Sequence, residues 1–443
     1  MSSPVRIIET SYVSAPATTA PPPGPIKLNA MEALWVSLPL LQHVLLFDLE
    51  GADMPLFDTI VESLQCSLAA TLGTFGPLAG KLVHLKDTGD VGISCSASDG
   101  VMFVVAESDA DISRLAGDEQ HDLGVLERLV PKVDMTELPT ALLAVQATRF
   151  EAGFAVGLTA HHAVMDGRSL WAFVETWAAS CRGETPVMAP TFDRSLVSLP
   201  GGHDLASGIL RKFAPNLPSA KTAWSMKEDH RQFSRRTFAL DATRIERLKR
   251  RIVHLGETHG APLPRPPSTF AAVVALAWTC FARCKPFAGD DELPLFFLAD
   301  ARDGFDPPVD AGYMGACLAG CLARVPAREL CAEHALAAAA SAIQDEVRKM
   351  RMDPLARWDF ITPLLTVDVA KIMNVSGSPS FRAYEVADFG WGKPRRTENI
   401  RMNQDGQVAL MRARDGQGVQ VSISLLHSAE MDKFKFHFLK LQG

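Results

Sequence analysis

What the chain lacks narrows it first. None of its eight cysteines (Cys66, Cys95, Cys181, Cys280, Cys284, Cys317, Cys321 and Cys331) forms a Cys-x-x-Cys pair. Cys280/Cys284 and Cys317/Cys321 sit four apart among small apolar residues, which reads as buried free thiols and no metal site. Free thiols suit a reducing cytosol, so a cytoplasmic protein is expected. No basic excess exists: 44 − 51 gives a net charge of −7, which removes the electrostatic case for nucleic acid or an anionic membrane. The start has neither the basic opening nor the apolar core of a signal peptide. The most apolar early stretch, 30–47, is interrupted by Glu32, Pro39, Gln42 and His43, so no membrane span is expected. Gly-x-Ser-x-Gly, His-Glu-x-x-His and the Rossmann glycine fingerprint are missing too. Gly80-Lys81 lacks the spacing, and the following Ser or Thr, of a phosphate loop. Asp388-Phe389-Gly390 has no kinase catalytic loop to accompany it.

What remains is an ordinary globular composition, 47% hydrophobic and 21% charged over 443 residues. That length exceeds one core and predicts two domains. Residues 14–25 read as an extended Pro-rich arm. Ile60, Leu64, Leu68 and Leu72 have helical spacing over 58–72, and short strands are expected at 82–85, 91–95 and 101–105. From 183 to 235 prolines and glycines loosen the pattern into a long crossover, which divides the chain into domains at 1–182 and 236–443. Asp241 is placed to cap a helix with a basic outer face (Arg244, Arg247, Lys249, Arg250, Arg251), and such a face is usually just solvated. A buried helix is expected over 270–281, an Ala-rich helix over 330–350, and strands at 408–410 and 419–426.

The chemistry concentrates in His161-His162-Ala163-Val164-Met165-Asp166-Gly167. A strand is predicted over 154–159, with Phe154, Val156 and Leu158 on one face. A helix follows over 169–181, with Leu170, Phe173, Val174 and Trp177 at i, i+3, i+4 and i+7. An imidazole on a strand-to-helix turn is well placed as a general base, since its ordinary pKa of about 6.5 lies near working pH. Spacing alone leaves the alternative of a core histidine bonded to backbone.

A second motif, Asp388-Phe389-Gly390-Trp391-Gly392-Lys393-Pro394, joins the first. Together they resemble the two signatures of the plant BAHD acyl-CoA-dependent acyltransferases. The resemblance spans nearly the whole chain: Phe75 to Leu82, Thr191-Phe192-Asp193-Arg194-Ser195, Asp300-Ala301-Arg302, Pro307-Pro308 and Tyr313-Met314-Gly315 follow in the family's order. It implies an α/β fold of two chloramphenicol-acetyltransferase-like domains joined by a long crossover loop, with acyl-CoA and a small-molecule acceptor meeting at His162. No permanently bound cofactor is implied, and a monomer is expected. The resemblance makes Asp166 mainly structural, pairing with an arginine for which Arg302 is the candidate; orienting the imidazole is its other reading. It leaves Asp388 between a catalytic and a structural role. It offers the Trp391 indole as an oxyanion donor, against simple packing, and places Ser268 and Thr269 against CoA. Gly167-Arg168-Ser169 resembles the branch that acylates flavonoid and phenolic glycosides. In that branch Arg168 would bind the free carboxylate of malonyl-CoA, or else merely pair with a neighbouring acid. Met314, Ala316 and Arg412 depart from the branch pattern. The expectation is malonyl transfer to a glycoside hydroxyl. The alternatives are a hydroxycinnamoyl-CoA transferase acting on an alcohol or amine and, more distantly, a non-catalytic binding homologue.

Overall fold

The computed structural model describes residues 5–49, 55–117, 120–185, 188–221 and 233–442. Residues 186–187 and 222–232 of the expected crossover lie outside these. Among the described residues, nine strands precede the crossover: β1 (Arg6–Val13), β2 (Ile26–Lys27), β3 (Leu41–Asp48), β4 (Lys81–Leu85), β5 (Asp90–Ser94), β6 (Val101–Glu107), β7 (Thr140–Ala141), β8 (Leu143–Phe150) and β9 (Gly153–Ala160). Seven follow: β10 (Ser234–Leu240), β11 (Glu292–Asp300), β12 (Leu318–Pro326), β13 (Met373–Gly377), β14 (Arg396–Asn399), β15 (Gln407–Arg412) and β16 (Val419–Leu425). They form two six-stranded mixed sheets, ordered β1-β6-β8-β9-β3-β14 and β10-β16-β15-β13-β11-β12, and a small sheet β2-β5-β4-β7.

The β8–β9 hairpin places the histidine turn at the end of β9. The expected face, Phe154, Val156 and Leu158, packs into the main core. The opposite face is covered as well: Ala155 joins a separate cluster with Val44, Leu46, Leu115, Leu126 and Leu129. All eight β9 residues are therefore buried. The helix after the turn runs Gly167–Cys181 and packs on the helix Phe57–Leu72, where the Trp177 indole donates to Leu64 O at 3.1 Å and Ser67 Oγ at 3.0 Å.

In the second half the apolar segment is the helix Thr269–Cys284, buried along nearly all its length. Two expectations need correction. The Ala-rich stretch is two helices, Ala327–Cys331 and Ala335–Met352. The Arg283 guanidinium takes the carbonyls of Leu330 and Ala332, at 3.4 and 2.8 Å, so the first helix ends there. The crossover is not loop throughout, since Gly202–Phe213 is a helix. Three residues of the basic face of Ala242–Thr258 have partners: Arg244 on Asp241 and Lys249 on Glu246 locally, and Arg251 on the distant Leu441 O.

The division at 236 is also crossed. β14 lies late in the chain yet pairs antiparallel with β3 of the first sheet, Asn399 opposite His43. A buried polar network fixes it. Glu398 on β14 is fully buried and accepts from Arg235 Nη2 at 3.2 Å, Arg396 Nη1 at 3.2 Å, Thr237 Oγ1 at 2.9 Å and Ser422 Oγ at 2.9 Å. Arg235 also holds Ile400 O at 3.1 Å and Asn399 O. Burial disfavours charge on Glu398, but His121, Arg235 and Arg396 outweigh it and hold the carboxyl well below its usual range. Removing one partner of such a group strands the others in a dry site. Glu398→Ala is therefore expected to cost about 3–5 kcal/mol of stability. Guanidinium unfolding checks this, and a loss below about 1 kcal/mol would show that β14 is held by its backbone ladder alone.

Candidate active site

The strand-to-helix turn is built from its own polar groups. His161 is buried, its N–H bonded to Leu142 O at 2.8 Å and its Nδ1 accepting from Ala163 N at 3.2 Å. Asp166 caps the following helix, accepting from Ser169 N at 2.9 Å. Between them His162 is half-buried and lines a cavity of about 1070 Å³. Its Nδ1 is enclosed without a hydrogen bond of normal geometry.

The cavity runs between the two halves. Trp35, Leu41, His43 and Trp171 come from one side, and Phe296, Phe360, Ser376 and Arg401 from the other. The Trp35 ring stacks on His162 with centroids 3.6 Å apart and planes 12° from parallel. Burial pulls the His162 pKa down to about 4, although carbonyls of His162 and Met165 and the Asp166 charge act the other way. The imidazole is therefore neutral at pH 7, the form a proton acceptor needs.

Asp166 also lines the cavity, but its carboxylate is bonded to groups other than the His162 ring. The pairing expected with Arg302 is present: Arg302 Nη1 donates to Asp166 Oδ2 at 2.8 Å, with both side chains 1% exposed. Cys317 N adds a bond at 3.3 Å. The same guanidinium donates to Asp300 Oδ1 at 3.0 Å and, through Nη2, to Ser169 Oγ, Tyr313 O and Gly315 O at 3.2–3.3 Å. The turn is thereby fastened to the second half.

A histidine turn of this kind, over a cavity between two mixed sheets, agrees with what the family comparison finds. Residues 5–441 match the model of the Transferase family. The chain belongs to that family, the BAHD acyltransferases. It is 30% identical to phenolic glucoside malonyltransferase 1 of Arabidopsis thaliana, with 98% of this chain and 96% of the relative aligned. Agmatine coumaroyltransferase of the same plant is 29% identical, with 99% of each chain aligned. Among solved structures, vinorine synthase matches with a TM-score of 0.75 at 21% identity, covering 99% of this chain and 98% of its own. The two halves are thus two chloramphenicol-acetyltransferase-like domains, and the protein is an acyl-CoA-dependent acyltransferase.

Within this BAHD fold the other expected site residues divide. Arg168 lines the cavity, 45% exposed, with Nη1 on Asp300 Oδ2 at 2.8 Å; pairing with a neighbouring acid is present. Ser268 lines it too, and caps the helix Thr269–Cys284 by accepting from Ala271 N at 3.1 Å. Thr269 opens that helix but is not among the lining residues.

Asp388 and Trp391 lie elsewhere, which corrects the catalytic reading of both. The Trp391 ring packs edge-on against Phe154, centroids 5.4 Å apart, at the start of β9. His162 lies beyond the other end of that strand, about 20 Å away at about 3.3 Å per residue. Asp388 O accepts from Arg182, just past the far end of the Gly167–Cys181 helix, about 22 Å from its start. A hydrogen bond from either side chain to an oxyanion beside His162 is out of reach. The Asp388 carboxylate instead accepts from Gly390 N at 2.9 Å and Gly392 N at 3.0 Å, in a loop where both glycines have positive φ, 107° and 84°. Phe389 is buried against Trp177 and Phe47. The loop steers the chain into β14.

Sequence reading missed Trp35 and His43. His43 is 8% exposed, lines the cavity, meets Trp171 edge-on at 5.2 Å and has a buried, unbonded Nδ1. The signal was there: both lie in 30–47, whose polar interruptions argue against a membrane span and also mark an element that carries polar function.

Burial lowers the pKa of His43 to about 4 and of His161 to about 3, like His162. Unfolded histidines titrate near 6.5. The unfolded chain thus binds more protons below pH 6.5, and stability falls as pH drops from about 6.5 toward 4, by about 1.4 kcal/mol per pH unit for each proton. Unfolding at pH 5.5 is expected to take up nearly three protons, roughly one for each of these histidines. Calorimetry in buffers of different ionisation heat measures this; zero uptake would contradict the buried neutral histidines.

Proposed function

We propose that the enzyme transfers a malonyl group from malonyl-CoA to a sugar hydroxyl of a phenolic or flavonoid glycoside, with His162 as general base. The observation that carries the mechanism is the His162 imidazole on the wall of a cavity shared by both domains. His162 takes the proton from the acceptor hydroxyl as its oxygen attacks the thioester carbon. The tetrahedral adduct collapses, the C–S bond breaks, and the imidazolium returns the proton to the CoA thiolate. The products are the ester and free CoA. General acid–base assistance of this kind contributes about 10²–10⁴-fold. Asp166 keeps the turn in place and Ser268 offers a hydroxyl to CoA. No covalent acyl-enzyme is needed, because His162 hands the proton directly between two bound substrates.

Arg168 supports malonyl as the donor. Asp300 holds one arm of its guanidinium, leaving the other groups to meet a free carboxylate at the cavity wall. The malonyltransferase relative agrees with this choice. A second reading, a hydroxycinnamoyl donor with an alcohol or amine acceptor, is favoured by the similarly close agmatine coumaroyltransferase and by aromatic wall residues such as Phe296 and Phe360. A cytoplasmic location is part of the proposal and rests on the free thiols.

His162→Ala is expected to lower kcat by at least about 10²-fold in a free-thiol assay of CoA release. Near-native turnover would refute the base. Arg168→Ala is expected to raise KM for malonyl-CoA by about tenfold while leaving coumaroyl-CoA unchanged, on the scale of one charge-assisted hydrogen bond. Equal effects on both donors would reject its role in donor choice.

A further inference from the structure

Trp35 stands face to face with the imidazole that moves the proton. Its centroid lies 3.6 Å from that of His162, and the planes are 12° apart. The indole is 7% exposed, lines the cavity and also packs on Phe360, 5.0 Å away. Three distant parts of the chain fix its position. Trp35 N donates to Glu32 O at 2.9 Å, just past the short helix Ala30–Ala33 that an Asn29–Glu32 capping box opens. Glu32 is fully buried. It accepts from Tyr313 Oη at 2.9 Å and forms an ion pair with Arg194 Nη2 at 3.1 Å, with Nε at 3.2 Å. Arg194 comes from the crossover and Tyr313 from the second domain. Tyr313 O in turn accepts from Arg302, the partner of Asp166. One connected network therefore sets both rings: Arg302 through the turn that carries His162, and Glu32 through the turn that carries Trp35.

We propose that Trp35 is a positioning residue for His162 that also stabilises its protonated form during acyl transfer. An indole face is electron-rich. It offers a neutral imidazole mainly dispersion, and an imidazolium additional cation–π attraction. That added attraction exists only while His162 carries the acceptor's proton, so it acts on the barrier and not on substrate binding. The other groups around His162 do not replace it. Asp166 favours the charge but is tied to Arg302; His161 on the same turn and His43 from β3 oppose it when charged; Arg168 is cationic. The inference rests on His162 being the base.

The test uses the full-length enzyme with Trp35→Leu, Trp35→Phe and a series of fluorinated tryptophans inserted at position 35, which withdraw electron density from the ring face with little change of shape. Turnover is measured with malonyl-CoA and phenyl β-glucoside. The His162 pKa is read separately by NMR of ¹³C-histidine-labelled protein, its signal assigned by loss in His162→Gln. Trp35→Leu is expected to lower kcat about 3- to 30-fold, with KM for malonyl-CoA within about twofold, and Trp35→Phe to fall between it and the native enzyme. Along the fluorinated series log kcat and the His162 pKa both decline stepwise. Native kcat in Trp35→Leu, a loss confined to KM, or a flat fluorinated series overturns the proposal. If Trp35→Leu does not fold, the fluorinated series decides; if the glucoside is not turned over, the NMR titration decides. Activity surviving in His162→Ala would remove the base itself, whereas a dead His162→Ala beside an unaffected Trp35→Leu removes only this role for Trp35.

Discussion

The buried ion pair between Asp166 and Arg302 is the constraint on which the rest depends. Its two side chains come from different domains, each 1% exposed. Burial alone would penalise both charges, yet each holds the other: the carboxyl is pushed down and the guanidinium up. Asp166 bonds to partners that lie away from the imidazole. Its oxygens cap the helix, meet Arg302 and accept from Cys317 N. The aspartate of the histidine motif is thus tied into the frame. A free carboxylate close to His162 would raise its pKa and keep it charged. Committing that carboxylate to an arginine leaves the histidine neutral and able to accept.

From that pair the architecture follows outward. Arg302 gathers carbonyls of Tyr313 and Gly315, and the Tyr313 hydroxyl meets Glu32. Arg194 closes the loop from the crossover. The domain interface is therefore a polar lattice around one wall of the cavity, while the rest of the wall mixes aromatic residues such as Phe296 and Phe360 with polar ones such as Asn374 and Gln404. β14 and the Glu398–Arg235 network close it from the side, since Asn399 and Arg401 both reach the cavity.

Much of this was legible in the sequence wherever it was periodic or local. The helix after His162 showed in Leu170, Phe173, Val174 and Trp177, and the Asp241 cap in one residue. The two motifs pointed to the family. Even the Asp166–Arg302 pair could be anticipated from the resemblance. What could not be read is whatever depends on long-range closure. β14 carries charged and polar residues and looks like loop, because its burial comes from a sheet formed some 350 residues earlier in the chain. Trp391 attracted an oxyanion role because an indole N–H beside two glycines fits that chemistry; only the fold shows it at the opposite end of β9. Beyond the polar interruptions of its segment, Trp35 carried no signal of its own. Its meaning arises from the face of His162, 127 positions further along the chain.

The central claim is that Asp166 serves catalysis through Arg302. A double-mutant cycle of Asp166→Ala and Arg302→Met, read in kcat/KM, tests it most directly. Residues joined in one buried network interact by about 0.5–3 kcal/mol, whereas independent ones add. The account predicts that the double variant is little worse than the poorer single one, with coupling above about 1.5 kcal/mol. Losses that add to within about 0.5 kcal/mol would contradict it, and would return Asp166 to a direct role at the imidazole.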